Sequence, residues 1–300
     1  MKIEISEKKD QYKKNIIFNE KLAKYSWFNL GGLAETFFRP DNIEDLSHFF
    51  KNNSKDNINI LGAGSNTLIR DGGVKGITIK LSSKFSFINL LEDNIIHVGA
   101  STLDKKLSNF ASENSISGFE FLSCIPGTIG GGIIMNSGCY GGEISDLLVS
   151  AEVMDKNGNI SQLNKQDIKF FYRGCNLKKN QIILSAKFKG ILADKNKIKK
   201  KQLELIEKKK SSQPSQIKTC GSTFKNPDGE KAWKLIKETG SDKLTFGNAK
   251  VSEKHCNFFI NDGHASSFDI EELIKQVKKN VLDKTGIELQ LELKIIGTNS

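Results

Sequence analysis

The sequence predicts an α+β protein of two domains, with a boundary near residues 190–215. Three observations lead there. The chain has 300 residues, which suits two domains at roughly 150 residues each. Before the boundary, short strand-like runs are separated by glycine-dense loops. After a lysine-rich stretch, helix-period and strand-period patterns alternate, with no repeat at solenoid spacing anywhere in the chain.

In chain order, Asn57 to Leu61 reads as a short strand running into Gly62-Ala63-Gly64-Ser65-Asn66. Ile77 to Leu81 is a second strand, and Phe85 to Leu90 with Asn94 to Val98 forms a hairpin. Leu103, Leu107, Phe110 and Ala111 make a helical stripe. Gly127 to Gly142 reads as a loop, with seven glycines in sixteen residues. Val149 to Met154 and Ile160 to Leu163 flank Asn157-Gly158, a hairpin turn signal, and Ile182 to Phe188 is a further strand. Lys195 to Lys210 holds eight lysines in sixteen residues, with Leu203 and Ile206 as a narrow apolar edge of an exposed helix. Beyond it, Glu230 to Glu238 is helical and Gly240 ends it, while Asn257 to Asn261 is a strand. Ile270, Leu273, Ile274, Val277 and Val281 line one helix face, opened by an Asp269/Glu272 capping box and closed by Gly286. The last strand alternates, with Ile287, Leu289, Leu291, Leu293 and Ile295 on one face and Glu288, Gln290, Glu292 and Lys294 on the other.

Composition excludes several classes. Met1 to Glu20 is charged and has no apolar centre, so no signal peptide is read, and no run approaches the ~20 apolar residues that span a bilayer. Five cysteines without Cys-x-x-Cys spacing argue for a reducing, cytoplasmic setting, with neither a disulfide frame nor a zinc site. His255, Cys256 and His264 lack the paired spacing of metal ligands, so no metal is expected. The net charge of +10 suits nucleic acid or anionic nucleotides. A solvated helix accounts for the lysine run more simply than a nucleic-acid surface does.

Candidate chemistry concentrates in a few short runs. Glycine lets backbone approach a ligand closely, and successive amides bind anions. Gly62-Ala63-Gly64 opens like a dinucleotide fingerprint, yet the third glycine is missing and Gly72-Gly73 interrupts any following helix. Ile125-Pro126-Gly127-Thr128-Ile129-Gly130-Gly131-Gly132 is a second such loop, without a Walker lysine. Two glycine loops in one half of the chain favour a large phosphate-bearing cofactor; a tight structural turn also fits the second. Cys220-Gly221-Ser222-Thr223-Phe224-Lys225-Asn226-Pro227 presents a hydroxyl beside a cation, an amide and a stiff proline. It lacks the second glycine of a nucleophile elbow, so a proton donor fits better than a nucleophile, and an ordinary turn fits the octet too. Arg173 follows Phe170-Phe171-Tyr172 and is one of only three arginines, with Arg39 and Arg70. Its guanidinium suits a carboxylate or an oxyanion. Glu292, by pattern alone, reads as part of a solvated strand face.

Together these runs resemble the UDP-N-acetylenolpyruvoylglucosamine reductase (UDP-N-acetylmuramate dehydrogenase) family, over about Trp27 to Gly297. The resemblance rests on Phe28-Asn29-Leu30-Gly31-Gly32, Leu61 to Asn66, Ile125 to Gly131, Met135-Asn136-Ser137-Gly138 and Phe171-Tyr172-Arg173. It also rests on Cys220 to Pro227 and on Val251 to Asn261. The chain looks like the shorter type, lacking the tyrosine-bearing insertion. The resemblance implies a two-lobed FAD-binding domain of the vanillyl-alcohol-oxidase (PCMH) kind over residues 1–195, and a C-terminal α+β substrate-binding domain over 196–300. It implies Arg173, Ser222 and Glu292 as catalytic residues. Contacts to non-covalent FAD would come from Gly62, Gly64, Ser65, Asn66, Pro126, Gly127, Thr128, Gly130, Gly131, Asn136 and Gly138. Tyr172, Lys225, Asn226 and Lys294 would meet substrate.

The implied reaction has two halves, in which NADPH reduces the flavin and UDP-N-acetylglucosamine enolpyruvate is then reduced to UDP-N-acetylmuramate for peptidoglycan synthesis. Ser222 would deliver a proton, while Arg173 and a protonated Glu292 stabilise enolate-like charge. A monomer is expected, with no nucleic-acid or membrane partner. The chain departs from the family at Cys175, Gly132, Ser137, Cys139, Leu293 and Lys294, which bears on fine substrate contacts. A different flavin-linked oxidase of the same fold, with covalently attached flavin, is the alternative enzyme.

Overall fold

The computed structural model describes residues 11–53, 57–178 and 180–299. Residues 1–10 of the charged N-terminal stretch lie outside the described residues. The chain divides into two compact units. One comprises Met1–Phe18, Thr36–Ala63 and Gly76–Glu207; the other comprises Asn19–Glu35, Gly64–Lys75 and Lys208–Ser300.

In the first unit a five-stranded antiparallel sheet runs in the order Ile160–Asn164, Leu148–Met154, Ile182–Lys189, Ile95–Gly99, Ile88–Leu90. Its outer hairpin closes at Asn157-Gly158 as expected, with Gly158 at φ +77° and Asp155 Oδ1 accepting the amides of Asn157 and Asn159 at 2.8 and 2.9 Å. A four-stranded sheet supplies a second layer, in which Ile58–Ile60 pairs parallel with Ile77–Ile79. Phe38, Phe49, Phe50, Ile77 and Ile79 pack with Met154, Ile182 and Leu184 in one apolar core. A second core lies around Ile96, Val98, Leu107, Ile129, Ile133, Ile183 and Phe188.

Three expectations for this unit are corrected. Leu103 is not part of a buried stripe: it precedes the helix Asp104–Glu113 and is exposed, and Leu107 and Ala111 carry the buried face. The glycine-dense loop contains a helix, Ile129–Met135, because burial of Ile129 and Ile133 outweighs the weak helix propensity of Gly130, Gly131 and Gly132. In the helix Lys195–Ser212 the buried edge is Ile198 and Gln202, while Leu203 is 65% exposed. Gln202 Nε2 donates to the carbonyl and hydroxyl of Ser108 at 3.0 and 2.7 Å, and Lys195 and Lys199 pair with Glu113.

The second unit is built on the helix Ser267–Thr285. Ile270, Leu273, Ile274, Val277 and Val281 are buried on it, as the periodicity requires, against Phe28, Leu68, Leu235, Val251, Phe259, Leu289 and Leu293. Its capping box is Ser266 with Asp269, three residues upstream of the expected pair, since a serine hydroxyl at the N-cap can accept the Asp269 amide. Gly286 closes it at φ +72°. Two segments from the N-terminal quarter of the chain belong here because Thr67–Ile69 forms a parallel pair with Lys294–Ile296. The last strand is shorter than expected. Leu289 and Leu293 are buried and Glu288 and Gln290 exposed, so the alternation holds, yet the regular ladder spans only Lys294–Ile296 with an isolated bridge between Phe224 and Leu291.

Candidate active site

Gly62 meets the second glycine loop inside the first unit. A Cβ on Gly62 would stand 2.9 Å from Thr128 Oγ1 and 4.0 Å from the Gly131 Cα, so Gly62 packs on the Thr128 side chain of the second loop. A Cβ on Gly131 would touch only Thr128 Oγ1, at 3.4 Å, which leaves that backbone open. Loop position is fixed by Ile129 and Gly130 amides donating to Thr102 and Ala100 carbonyls, each at 2.9 Å. Lys80 Nζ donates to the Gly62 carbonyl; burial and the neighbouring Arg39 charge lower its pKa. Side-chain-free backbone at Gly62, Gly127, Gly130 and Gly131, with the Gly131 Cβ position open but for Thr128, is the kind of segment that a dinucleotide cofactor needs, and the residues present fit FAD.

Beneath this segment lies Asp104. It is fully buried, neither carboxyl oxygen has a hydrogen-bond partner among the described residues, and burial pushes its pKa up to about 8. Asn136, at the left-handed end of the helix (φ 41°), is 1% exposed. Its amide donates to Phe171 O at 3.3 Å and accepts from the Ser145 amide at 3.0 Å, so its side chain holds the loop's exit in shape. Pro126 and Gly138 are half-buried at the two ends of the loop.

Arg173 and Tyr172 are the two turn residues of the hairpin Phe170–Phe171 and Gly174–Cys175. Arg173 takes the left-handed φ of +58°, which non-glycine residues seldom adopt. Its Nη2 donates to Gly138 O at 2.7 Å, and its guanidinium carbon lies 5.0 Å from the Tyr172 ring centre, an aromatic cation contact.

In the second unit the octet is irregular, held by two isolated bridges. Gly221 has φ +75°, and Ser222 and Phe224 bridge to Phe258 and Leu291. Asn257 clamps it: its Oδ1 accepts the Phe224 amide at 2.9 Å and its Nδ2 donates to Phe224 O at 2.8 Å. The Glu292 amide donates to Thr223 O at 2.9 Å and the Lys225 amide to Gln290 O at 2.8 Å, so the Ser222 and Glu292 segments run side by side. Asn66 joins them, donating its Nδ2 to Glu292 O at 3.0 Å and accepting the Lys294 amide at 3.0 Å. Gly64 precedes it with φ +69° and its α-carbon against the Tyr25 carbonyl, leaving no room for a Cβ. Asn226 Oδ1 accepts the Ala232 amide at 3.1 Å, Ser65 is half-buried and the Lys294 side chain is exposed.

Ser222, Glu292, Asn66 and Lys225 thus share one unit, whereas Arg173, Tyr172 and the Gly127–Gly131 cradle residues belong to the other. Sequence reading missed Asp104, Lys80 and Asn257. For Lys80, a cation closing an apolar strand beside a glycine loop was the available signal; for Asp104 there was none, because its burial depends on the loop folded over it.

Residues 34–164 match the family model for an FAD binding domain, which together with the glycine cradle defines a flavin-binding α+β protein. Residues 213–296 match the model for the C-terminal domain of UDP-N-acetylenolpyruvoylglucosamine reductase. The chain is 48% identical to the UDP-N-acetylenolpyruvoylglucosamine reductase of Pelagibacter ubique, with 98% of each chain covered, and 46% identical to that of Rickettsia canadensis, with 96% and 97% covered. The crystal structure of the Thermus caldophilus enzyme superposes with a TM-score of 0.82 at 30% identity, covering 94% of this chain and 98% of that one. The chain belongs to the UDP-N-acetylenolpyruvoylglucosamine reductase family. Among the described residues no helix is long and apolar enough to cross a membrane, and no cluster of three or more metal-ligating side chains occurs.

Proposed function

We propose that this protein reduces UDP-N-acetylglucosamine enolpyruvate to UDP-N-acetylmuramate, with non-covalently bound FAD and with NADPH as hydride donor, in the supply of peptidoglycan precursors. The observation that carries the reading is that a chain of this family holds both the glycine loop Gly127–Gly132 and the hydrogen-bonded Ser222 and Glu292 segments. Residues 1–195 serve FAD and 196–300 serve substrate, with the segments Asn19–Glu35 and Gly64–Lys75 packed in the second unit. FAD, when bound, supplies hydride transfer between the nicotinamide and the enolpyruvyl double bond.

The chain's own residues do the rest. Gly62, Gly64, Ser65, Pro126, Gly127, Thr128, Gly130 and Gly131 receive the cofactor; Asn66, Asn136 and Gly138 hold the surrounding backbone. Ser222 Oγ holds the proton that is delivered to the carbon next to the hydride acceptor. Arg173 and Glu292 oppose the charge that develops toward the substrate carboxylate, and a planar guanidinium fixed by Gly138 O is suited to that task. Tyr172, Lys225, Asn226 and Lys294 line the path of the substrate. The protein works as a cytoplasmic monomer and takes no nucleic acid. The test is spectroscopic: the purified protein is yellow, bleaches with NADPH, and regains colour when the enolpyruvyl nucleotide sugar is added. Colour unaffected by either compound overturns the reading.

A further inference from the structure

Asp104 is the one described carboxylate whose two oxygens are both buried and both without a hydrogen-bond partner. Such a group is costly if charged and stays neutral instead. Its position is specific. Its backbone amide donates to Gly127 O at 3.1 Å, and a Cβ on Gly127 would run into Oδ2. A Cβ on Gly132 would lie 3.5 Å from Oδ1. The carboxyl group therefore fills the space beneath both ends of the Gly127–Gly132 segment.

No charge faces it. Residues 125–135 carry no ionisable side chain. In the neighbouring turn Glu120–Cys124, Glu120 accepts from Ser117 Oγ and the Gly118 amide at 2.7 and 2.8 Å. Near Ile144, Glu143 accepts from Ser145 Oγ and Asp146 from the Glu143 amide. On its own helix Lys105 and Lys106 are exposed, and Glu113 is held by Lys195 and Lys199.

We infer that Asp104 is a positioning residue for the cofactor: as a neutral acid it props the Gly127–Gly132 segment in its flavin-cradling shape, and its ionisation loosens that segment and releases FAD. This rests on the flavin reading above. Burial moves the group from 3.8 to about 8. The folded state then keeps a proton that the unfolded chain gives up, so the contribution to stability is full below about 4 and is lost as pH rises through about 8. Flavin retention follows the upper limb of that curve.

The test measures FAD affinity by flavin fluorescence from pH 6.5 to 9.5, with far-ultraviolet circular dichroism to monitor the fold. The parent protein is expected to lose affinity by about tenfold or more across pH 8 while remaining folded. Asp104→Asn, which keeps the shape and cannot ionise, is expected to show no alkaline loss relative to its own affinity at pH 7. An alkaline loss of the same size in Asp104→Asn, or none in the parent, overturns the inference. If the variant does not fold, the carboxyl stretch of the parent in difference infrared spectra decides: its disappearance with the same midpoint as flavin release supports the role, and a different midpoint overturns it. Failure to bind FAD even at pH 7 would instead sink the flavin reading.

Discussion

Ser222 precedes Thr223 and Phe224, whose backbone is tied on one side to Asn257 and on the other to Glu292, so its hydroxyl can be removed without moving the chain. Ser222→Ala is therefore expected to bind FAD and be bleached by NADPH at nearly the parent rate, while reoxidation by the enolpyruvyl nucleotide sugar slows ~10²–10⁴-fold. Glu292→Gln should show the same asymmetry. Stopped-flow absorbance of each half-reaction checks both; equal slowing of the two halves would remove Ser222 from the proton-donor role. Cys220, two positions away, has a different fate. It is 2% exposed, its thiol is directed at Thr67 O and Gly64 O, and burial pushes its pKa up to about 11. Iodoacetamide at pH 8 is expected to leave Cys220 unmodified in the native protein and to label it only on unfolding, as read by peptide mass spectrometry. The motif around Ser222 was legible in the sequence, whereas the inertness of Cys220 depends on the chain segment Gly64–Thr67, remote in sequence.

The glycine loops separate packing from function at the level of the element. Gly64 has a positive φ and its α-carbon abuts the Tyr25 carbonyl, so Gly64→Ala should destabilise the protein itself, by more than the ~1 kcal/mol of a left-handed residue alone. Gly131 meets only Thr128, so Gly131→Val should fold with a near-parent melting temperature and purify without bound flavin. Full flavin occupancy in Gly131→Val would show that this loop does not face the cofactor. The helix Lys195–Ser212 is a third case. Its lysines are largely exposed and its ion pairs to Glu113 lie in water, where such pairs contribute little. Changing Lys199, Lys200 and Lys201 together to Gln should leave turnover within a few-fold of the parent. Helical periodicity located this element correctly and Ile206 is half-buried, but Leu203 was misplaced, because it is exposed while the polar Gln202 is buried with both amide protons on Ser108.

At the scale of the whole molecule, each unit has its own apolar core, and sequence position does not say which core a residue joins. Leu68 lies among the first hundred residues yet packs with Leu273, Val277 and Leu293. Leu68→Ala is expected to cost about 2–5 kcal/mol, as for other fully buried leucines. Hydrogen exchange should rise more in Ser267–Thr285 than in the strand Ile182–Lys189; the reverse order would contradict the division into these two units.

The sequence by itself determined the α+β class, the hairpin at Asn157-Gly158, the core face of the long helix with its glycine stop, and the family with its flavin and substrate motifs. Those properties are carried by local periodicity, turn chemistry and contiguous runs, all of which are written within a few residues. Only the tertiary structure decided that Thr67–Ile69 pairs with Lys294–Ile296, that a glycine-rich stretch winds into the helix Ile129–Met135, and that Asp104 is sealed beneath it. Each of these depends on what packs against the segment from far along the chain, where burial energy outweighs local propensity and desolvation sets the charge state of a carboxyl group.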